Sequence, residues 1–483
     1  MSADSNDVTE PQKEIESIGR FGAQGTLLFL DHLLVAVGGW IYWLVIVSRI
    51  SPFEVGQVTA VYSLVTLISI LTQLGLEYPI LKRSASQPHQ ILVTAFIIEM
   101  VITMATVPIV PSIISTYFQQ SLHGLSYQFT LIAVTILILS SLSFVSRFAL
   151  LGISDVKSVL MIDLIGTGIK FASGYVLVWS GMGASGMLIS FLLQNLVIVS
   201  ATIFVARRKR KFGYGVGNIN YIKAIIKDGL INTPSKFSRI LIISLSVVLL
   251  GSFGISSSDV GIFYIALMLS IVAIGSLASS MAYMVIPISA ALGTDLSSAG
   301  SRISMSLSVP MITAMISSPK FILSIIGTQY VPGEPILIVL SIAILPFSIT
   351  MNFISKFNNL QMTARLISIG LVEVVAFLIT FVFLVPHYGA VGAAFSTLAA
   401  FVSSSLLSLA WSERRTIRYV CVSAMAIILG IVSSHIIGLA TSIHPAAMIL
   451  ISMAISLSMV IILKNISINE INQLAKGIIA KIG

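Results

Sequence analysis

The sequence predicts an all-α polytopic membrane protein: about 14 transmembrane helices, arranged as two six-helix lobes plus a C-terminal helix pair. Three observations predict it. Hydrophobic residues make up 56% of the 483 residues, charged residues only 9%, and mean hydropathy is +1.02. A soluble domain carries roughly 25% charged residues, so this chain cannot cover a soluble surface. Apolar runs long enough to span a bilayer, about 20 residues each, recur along the whole length. Segments of the first half also return in the second half at a nearly constant offset.

The runs fall near 24–48, 55–80, 91–116, 127–148, 157–180, 184–205, 229–251, 259–291, 301–325, 335–357, 364–386, 390–411, 417–440 and 445–464. Many are rich in Val, Ile and Ser, but their length argues for helices. Barrel strands would appear as alternating segments of about ten residues. With fourteen spans both tails share a side. Assigning that side to the cytoplasm places 22 of the 27 Lys and Arg residues in cytoplasmic segments, including the cluster Arg207-Arg208-Lys209-Arg210-Lys211. The outer loops hold only Arg49 and Lys320, as the positive-inside rule requires. A shifted span count would scramble this alternation. The net charge of +9 therefore reads as topology, and no nucleic-acid partner is expected.

The echo defines the lobes. Ile50-Ser51 and Glu54-Val55-Gly56 stand 205 positions before Ile255-Ser256 and Asp259-Val260-Gly261. Gly183-Ala184-x-Gly186 stands 206 positions before Gly389-Ala390-x-Gly392. Six spans per half give both halves the same orientation, related by a pseudo-two-fold along the membrane normal. The expected organisation is a cytoplasmic tail (1–23), an N-lobe (24–206), a basic cytoplasmic linker (207–228), a C-lobe (229–415), spans 13 and 14 (416–464) and a cytoplasmic amphipathic helix (465–483). The first tail is polar and the first apolar run too long for a signal-peptide core, so no cleavable signal is expected.

Ionisable groups inside hydrocarbon cost about 2.5–3.5 kcal/mol each on insertion scales, and they mark function or pairing. Asp31, Glu99, Asp163, Lys170, Lys236, Arg239 and Glu373 fall within spans. Asp31 and Lys236 lie 205 positions apart, at equivalent depths on spans 1 and 7. Lys236 and Arg239 share one helix face. Lys236 and Arg239 read as a cationic patch for diphosphate or acidic groups, with Asp31 balancing it; the structural alternatives are an interlobe salt bridge or headgroup snorkelling. Lys170, nearer mid-span, is a further candidate substrate contact. Glu373 is placed either to pair with Lys170 across the lobes or to be neutralised locally by a neighbouring helix. Glu373, Glu99 and Asp163 are the candidates for gating or for a coupling ion, with H+ or Na+ left open. Glu77 and Arg147 sit near span ends, where long side chains snorkel, and are set aside. Gly183, Gly186, Gly389 and Gly392 read as close-packing positions. A single cysteine, Cys421, excludes an internal disulfide and a Cys-based metal site, and no metal or cofactor is expected. No nucleotide loop, nucleophile elbow or metal motif is present, so no enzyme is expected.

Three stretches carry a family resemblance. "SRISPFEVGQVTAVYSLVTLISILTQLGLEYPILKR" covers the first outer loop and second span, "MAYMVIPISAAL" the eighth span with Pro287, and "LVPHYGAVGAAFSTLAAF" the start of the twelfth. They resemble the multidrug/oligosaccharidyl-lipid/polysaccharide exporter superfamily, and within it the polysaccharide flippases of the Wzx type. The resemblance covers nearly the whole chain, and its motifs are mainly architectural. It implies a monomeric plasma- or inner-membrane transporter that moves a lipid-linked oligosaccharide from the cytoplasmic to the outer leaflet by rocking of two lobes. Its partners would be the lipid-linked glycan and membrane lipids. A cation-coupled multidrug antiporter of the same superfamily is the alternative. A membrane glycan polymerase or ligase is disfavoured by the short outer loops.

The charge bias makes a direct prediction. In intact cells, an epitope inserted between Phe53 and Glu54 is reached by antibody, whereas one inserted in 212–215 is reached only after permeabilisation.

Overall fold

The computed structural model describes residues 31, 34–35, 37–86, 88–117, 126–153, 155–209, 215–272, 274–275, 297–360, 362–412, 414–440 and 444–463. The expected tail helix 465–483 and the segment containing Pro287 lie outside these residues. Within them the chain is helical with no strand, the outcome hydrocarbon imposes because every backbone group must be satisfied within its own segment.

Each of the fourteen predicted spans carries described helix. The first half contains α1 (Val37–Val47), α2 (Pro52–Gln73), α3 (Glu77–Ser86), α4 (Pro88–Thr106), α5 (Ile109–Tyr117), α6 (Ser126–Gly152), α7 (Val156–Leu177) and α8 (Gly183–Lys209). The second contains α9 (Ile219–Ser252), α10 (Ser257–Leu267), α11 (Ser297–Ser317), α12 (Pro319–Ile326), α13 (Glu334–Asn359) and α14 (Thr363–Ala410). The final pair is α15 (Arg414–Ala440) and α16 (Pro445–Ile462), packed against each other and against α11.

Turn chemistry explains the boundaries. α2 opens with a capping box: the Glu54 amide donates to Ser51 Oγ, while the Ser51 amide donates to the Glu54 carboxylate, and Pro52 occupies the first helical turn. α10 repeats half of the device: the Asp259 amide donates to Ser256 Oγ, whose hydroxyl donates to the Asp259 carboxylate. The face bearing the α1–α2 and α9–α10 turns is called the turn face below. Pro108 falls at the break between α4 and α5, and Pro319 starts α12 after an 84° bend.

Two helical stretches, Val156–Arg208 with 53 residues and Thr363–Ala410 with 48, are each far longer than a bilayer is thick. Each folds back on itself at a glycine. Gly183 has φ 48° and ψ −126°, and Gly389 has φ 56° and ψ −132°, a left-handed region that a side chain resists. The repeat thus preserves a backbone conformation as well as a residue type. The packing expectation holds at Gly186 and Gly392, where a Cβ would press on Leu177 and on Leu384 respectively. At Gly183 and Gly389 the turn itself is the stronger demand.

The linker expectation needs correction. Residues 219–228 belong to α9 and are not extended linker. Ile225 is fully buried in a cluster with Leu76, Ile80, Ile91 and Phe144 of the first half. Arg83 of α3 pairs with Asp228 at 2.7 Å and lies over the Tyr221 ring. The first turns of α9 therefore pack on the N-lobe, and the helix as a whole packs on both α2 and α14. The cause is amphipathic spacing: Ile222, Ile225 and Ile226 share one helix face, which sequence reading had assigned to a basic loop.

Gly389 gives a clean test of the hairpin geometry, because a Cβ there meets only Ile255 Cδ1 at 3.8 Å. Gly389→Ala is expected to cost about 1–2 kcal/mol through backbone strain alone, read as a lowered thermal transition of the purified protein.

Candidate functional site

Charge inside the spans is concentrated at one described cluster. α6 continues to Gly152, so Arg147 sits more than a turn inside the helix. From there its Nη2 reaches Asp31 Oδ2 at 2.5 Å and Asp163 Oδ2 at 3.0 Å. Both aspartates are buried, while the Arg147 side chain keeps 30% exposure. One guanidinium thus ties the α1 region to α6 and α7. Two carboxylates against one cation leave the cluster one negative charge in excess when all three are ionised. Asp31 Oδ1 is buried with no hydrogen-bond donor among the described residues. A buried acceptor left open in this way is costly, so the cluster is suited to take up a proton or a small cation.

Arg147 is the correction here. Sequence reading set it aside as a snorkelling cation and assigned Asp31 to balance Lys236 and Arg239. The structure makes Arg147 the counter-ion of Asp31. Depth was the missed signal: Asp31 and Asp163 each lie about 10 Å in from the same side at 1.5 Å per residue, within reach of an arginine entering from that side. Lys236 and Arg239 lie on α9, and the side chains of residues 231–241 fall outside the described set.

Beside this cluster runs a cavity of about 400 Å³ between α1 and α7. Leu34, Val37, Gly38, Leu164 and Phe171 line it, with Asp31 on its wall. Asp31 is thus shared between the ion cluster and the wall of this cavity. The wall is otherwise apolar apart from Thr167.

Lys170 is 8% exposed. Its ammonium lies 4.9 Å from the Tyr42 ring centre and 5.7 Å from that of Phe191. Cation–π contacts of this kind gain strength when desolvated. Tyr42 and Ser190 are hydrogen-bonded through their hydroxyls at 2.7 Å, and Gly174 leaves room for the Tyr42 ring. Tyr62 stacks on Phe191 with ring centres 4.4 Å apart, and Trp43 reaches Tyr264 of α10 at 5.0 Å. These aromatics carry the cluster across to the second half. Sequence reading passed over them, since isolated aromatics in apolar runs look like ordinary core. Among the described residues no ion pair joins Lys170 to Glu373.

Glu373 is fully buried on α14. Glu99 is fully buried on α4 and accepts from Thr72 Oγ1 at 3.3 Å. The structure thus brings Asp31 and Asp163 together and leaves Glu99 and Glu373 on other helices. No group of three His, Cys, Asp or Glu side chains able to hold a metal occurs among the described residues.

A family model described as "Polysaccharide biosynthesis protein" matches residues 46–335. No curated protein matches the chain in sequence. Among solved structures, the lipid II flippase MurJ in an inward closed conformation superposes with a TM-score of 0.69 at 13% identity, covering 90% of this chain and 98% of that one. An inward-facing multidrug resistance MATE family transporter of the MOP superfamily gives 0.63 at 15% identity, covering 80% and 95%. At these identities the likeness shows the fold.

The ion cluster predicts an ordered set of stabilities. Arg147→Ala strands two buried carboxylates and is expected to cost about 3 kcal/mol. Asp163→Asn removes the surplus charge and stays within about 1 kcal/mol of wild type. Thermal unfolding of the purified variants reads both.

Proposed function

The chain belongs to the polysaccharide biosynthesis protein family, and from that premise we propose that it flips a lipid-linked oligosaccharide or polysaccharide repeat unit from the cytoplasmic to the outer leaflet. The family match over 46–335, on a fold shared with membrane transporters, is the observation that carries this reading. Transport proceeds by alternating access of the two halves, with both termini cytoplasmic, a placement that the basic loops support.

Roles follow from chemistry. Lys236 and Arg239, on one face of α9, are the contacts for the cargo's phosphates or acidic sugars. Lys170 supports the aromatic bridge in the state described here and is exposed to cargo only if that bridge opens. The Asp31–Asp163–Arg147 cluster takes up the coupling ion. Its surplus negative charge and the open Asp31 Oδ1 favour a proton or a monovalent cation. Binding there relieves the carboxylate repulsion and alters the wall of the α1–α7 cavity.

A second reading rests on one observation: that cavity is apolar apart from Asp31 and Thr167, a lining suited to a lipophilic cation. In that case the protein is a cation-coupled drug antiporter.

Deletion of the protein separates the two. Under the flippase reading, lipid-linked glycan accumulates in the inner leaflet, detected by resistance to an externally added glycan-modifying enzyme. Wild type restores export, and the double variant Asp31→Asn/Asp163→Asn lowers it at least tenfold. A deletion that alters only drug tolerance would defeat the flippase reading.

A further inference from the structure

We propose that Arg49, Trp179 and Tyr175 form the headgroup seat of a bound bilayer lipid, an anionic phospholipid of the turn-face leaflet whose acyl chain lies in the groove between α1 and α7. This goes beyond the flippase reading, because the lipid is not the cargo. Arg49 and Trp179 each stand two residues past the end of their helix, α1 and α7 respectively. The Arg49 guanidinium lies over the Trp179 ring, 5.1 Å from its centre. Tyr175 stacks on Trp179 with ring centres 4.1 Å apart. All three side chains are exposed. Arg49 has no carboxylate within ion-pair range among the described residues. Glu54 is engaged by the Ser51 amide and hydroxyl. The other cation that the sequence places on this face, Lys320, has Glu334 at 3.4 Å. Arg49 is thus held in place and uncompensated. Stacking fixes its plane and leaves N–H donors for two phosphate oxygens.

The same two helices carry the groove. Along α7, helical steps of four and three residues lead from Trp179 through Tyr175 and Phe171 to Gly168 and Leu164; along α1, two steps of four lead from Arg49 to Ile41. Ile41, Leu164, Gly168 and Phe171 line the apolar cavity of about 400 Å³. Ile41 lies about 12 Å below Arg49, and Gly168 about 16 Å below Trp179, at 1.5 Å per residue. Half the hydrocarbon thickness is about 15 Å. An acyl chain hung from a phosphate at Arg49 therefore ends near Gly168, where a Cβ would meet nothing within 4 Å. The second half lacks the seat. Gly254 stands 205 positions after Arg49, and Phe381 and Val385 stand 206 positions after Tyr175 and Trp179. Phe381 and Val385 are buried, and Phe253 closes on Phe381 with ring centres 5.5 Å apart. The fold is thus satisfied there by apolar packing and does not demand an exposed cation on aromatics. Every member of the seat belongs to the first half, off a path between the halves, which favours a bilayer lipid over the cargo.

The test uses the full-length protein in phosphatidylcholine nanodiscs doped with phosphatidylglycerol that carries a photoactivatable diazirine in one acyl chain. Crosslinked peptides are mapped by mass spectrometry. The wild type is expected to crosslink within 34–41 and 160–171. Arg49→Gln lowers that yield about tenfold, the change that losing hydrogen bonds to a charged group carries. Gly168→Leu fills the groove and also lowers it, while Lys320→Gln leaves it unchanged. A diacylglycerol probe with the same chain and no phosphate crosslinks as weakly as the Arg49→Gln variant. If Gly168→Leu fails to fold, Arg49→Gln, a change at an exposed side chain, decides. Unchanged yield in folded Arg49→Gln protein, or equal yield from the neutral probe, overturns the seat. Displacement of the probe by an equimolar long-chain polyprenyl phosphate would assign the groove to a cargo carrier and overturn the bilayer-lipid reading. No cargo or export enters the assay, so its failure leaves the flippase reading standing.

Discussion

The closest approach between the two halves' helices joins α2 and α10, where a Cβ on Gly56 would fall on the Ser257 carbonyl and one on Gly261 on the Pro52 carbonyl. In lipid, helices gain nothing by hiding apolar surface from one another, so their association rests on close packing and hydrogen bonds. Glycine supplies the closest approach. The same residue makes the hairpins at Gly183 and Gly389, where it supplies conformation instead. Glycine thus serves two purposes in this fold: it lets the halves touch, and it lets long helical stretches turn back within a membrane's thickness.

The halves share geometry and differ in chemistry. The first half pairs two of its intramembrane acids, Asp31 and Asp163, with its own Arg147. The equivalent of Asp31 in the second half is Lys236, one turn before Arg239. Under the proposed function this asymmetry separates the work: ion uptake in the first half, recognition of an anionic cargo in the second. Trp43 against Tyr264 supplies a described bridge between them. α9 supplies another, because its first turns pack on the N-lobe and the helix contacts both α2 and α14.

Much of the fold was legible in residue order. Span positions follow from hydropathy, and the turns at Ser51–Glu54 and Ser256–Asp259 follow from capping chemistry. The site was less legible. Arg147 looked like a residue at a membrane edge because a linear sequence carries no measure of lateral distance. Its role depends on α6 standing beside both α1 and α7. Residue order makes Lys170 a candidate substrate contact or a partner of Glu373, yet aromatics from α1 and α8 surround it. At the start of α9, Lys223 and Lys227 mask in the linear sequence an apolar face that only the N-lobe surface completes.

By itself the sequence determined the class, the spans, the repeat and the places where the backbone must turn. These follow from local rules: hydrophobic length against bilayer thickness, caps, and glycine where φ must be positive. The tertiary structure decided which charges meet, which remain enclosed by aromatics, and that the repeated glycines face each other across the halves. Those outcomes depend on which helices lie side by side. Helix adjacency is set by packing over the whole bundle, which no local stretch of residues encodes.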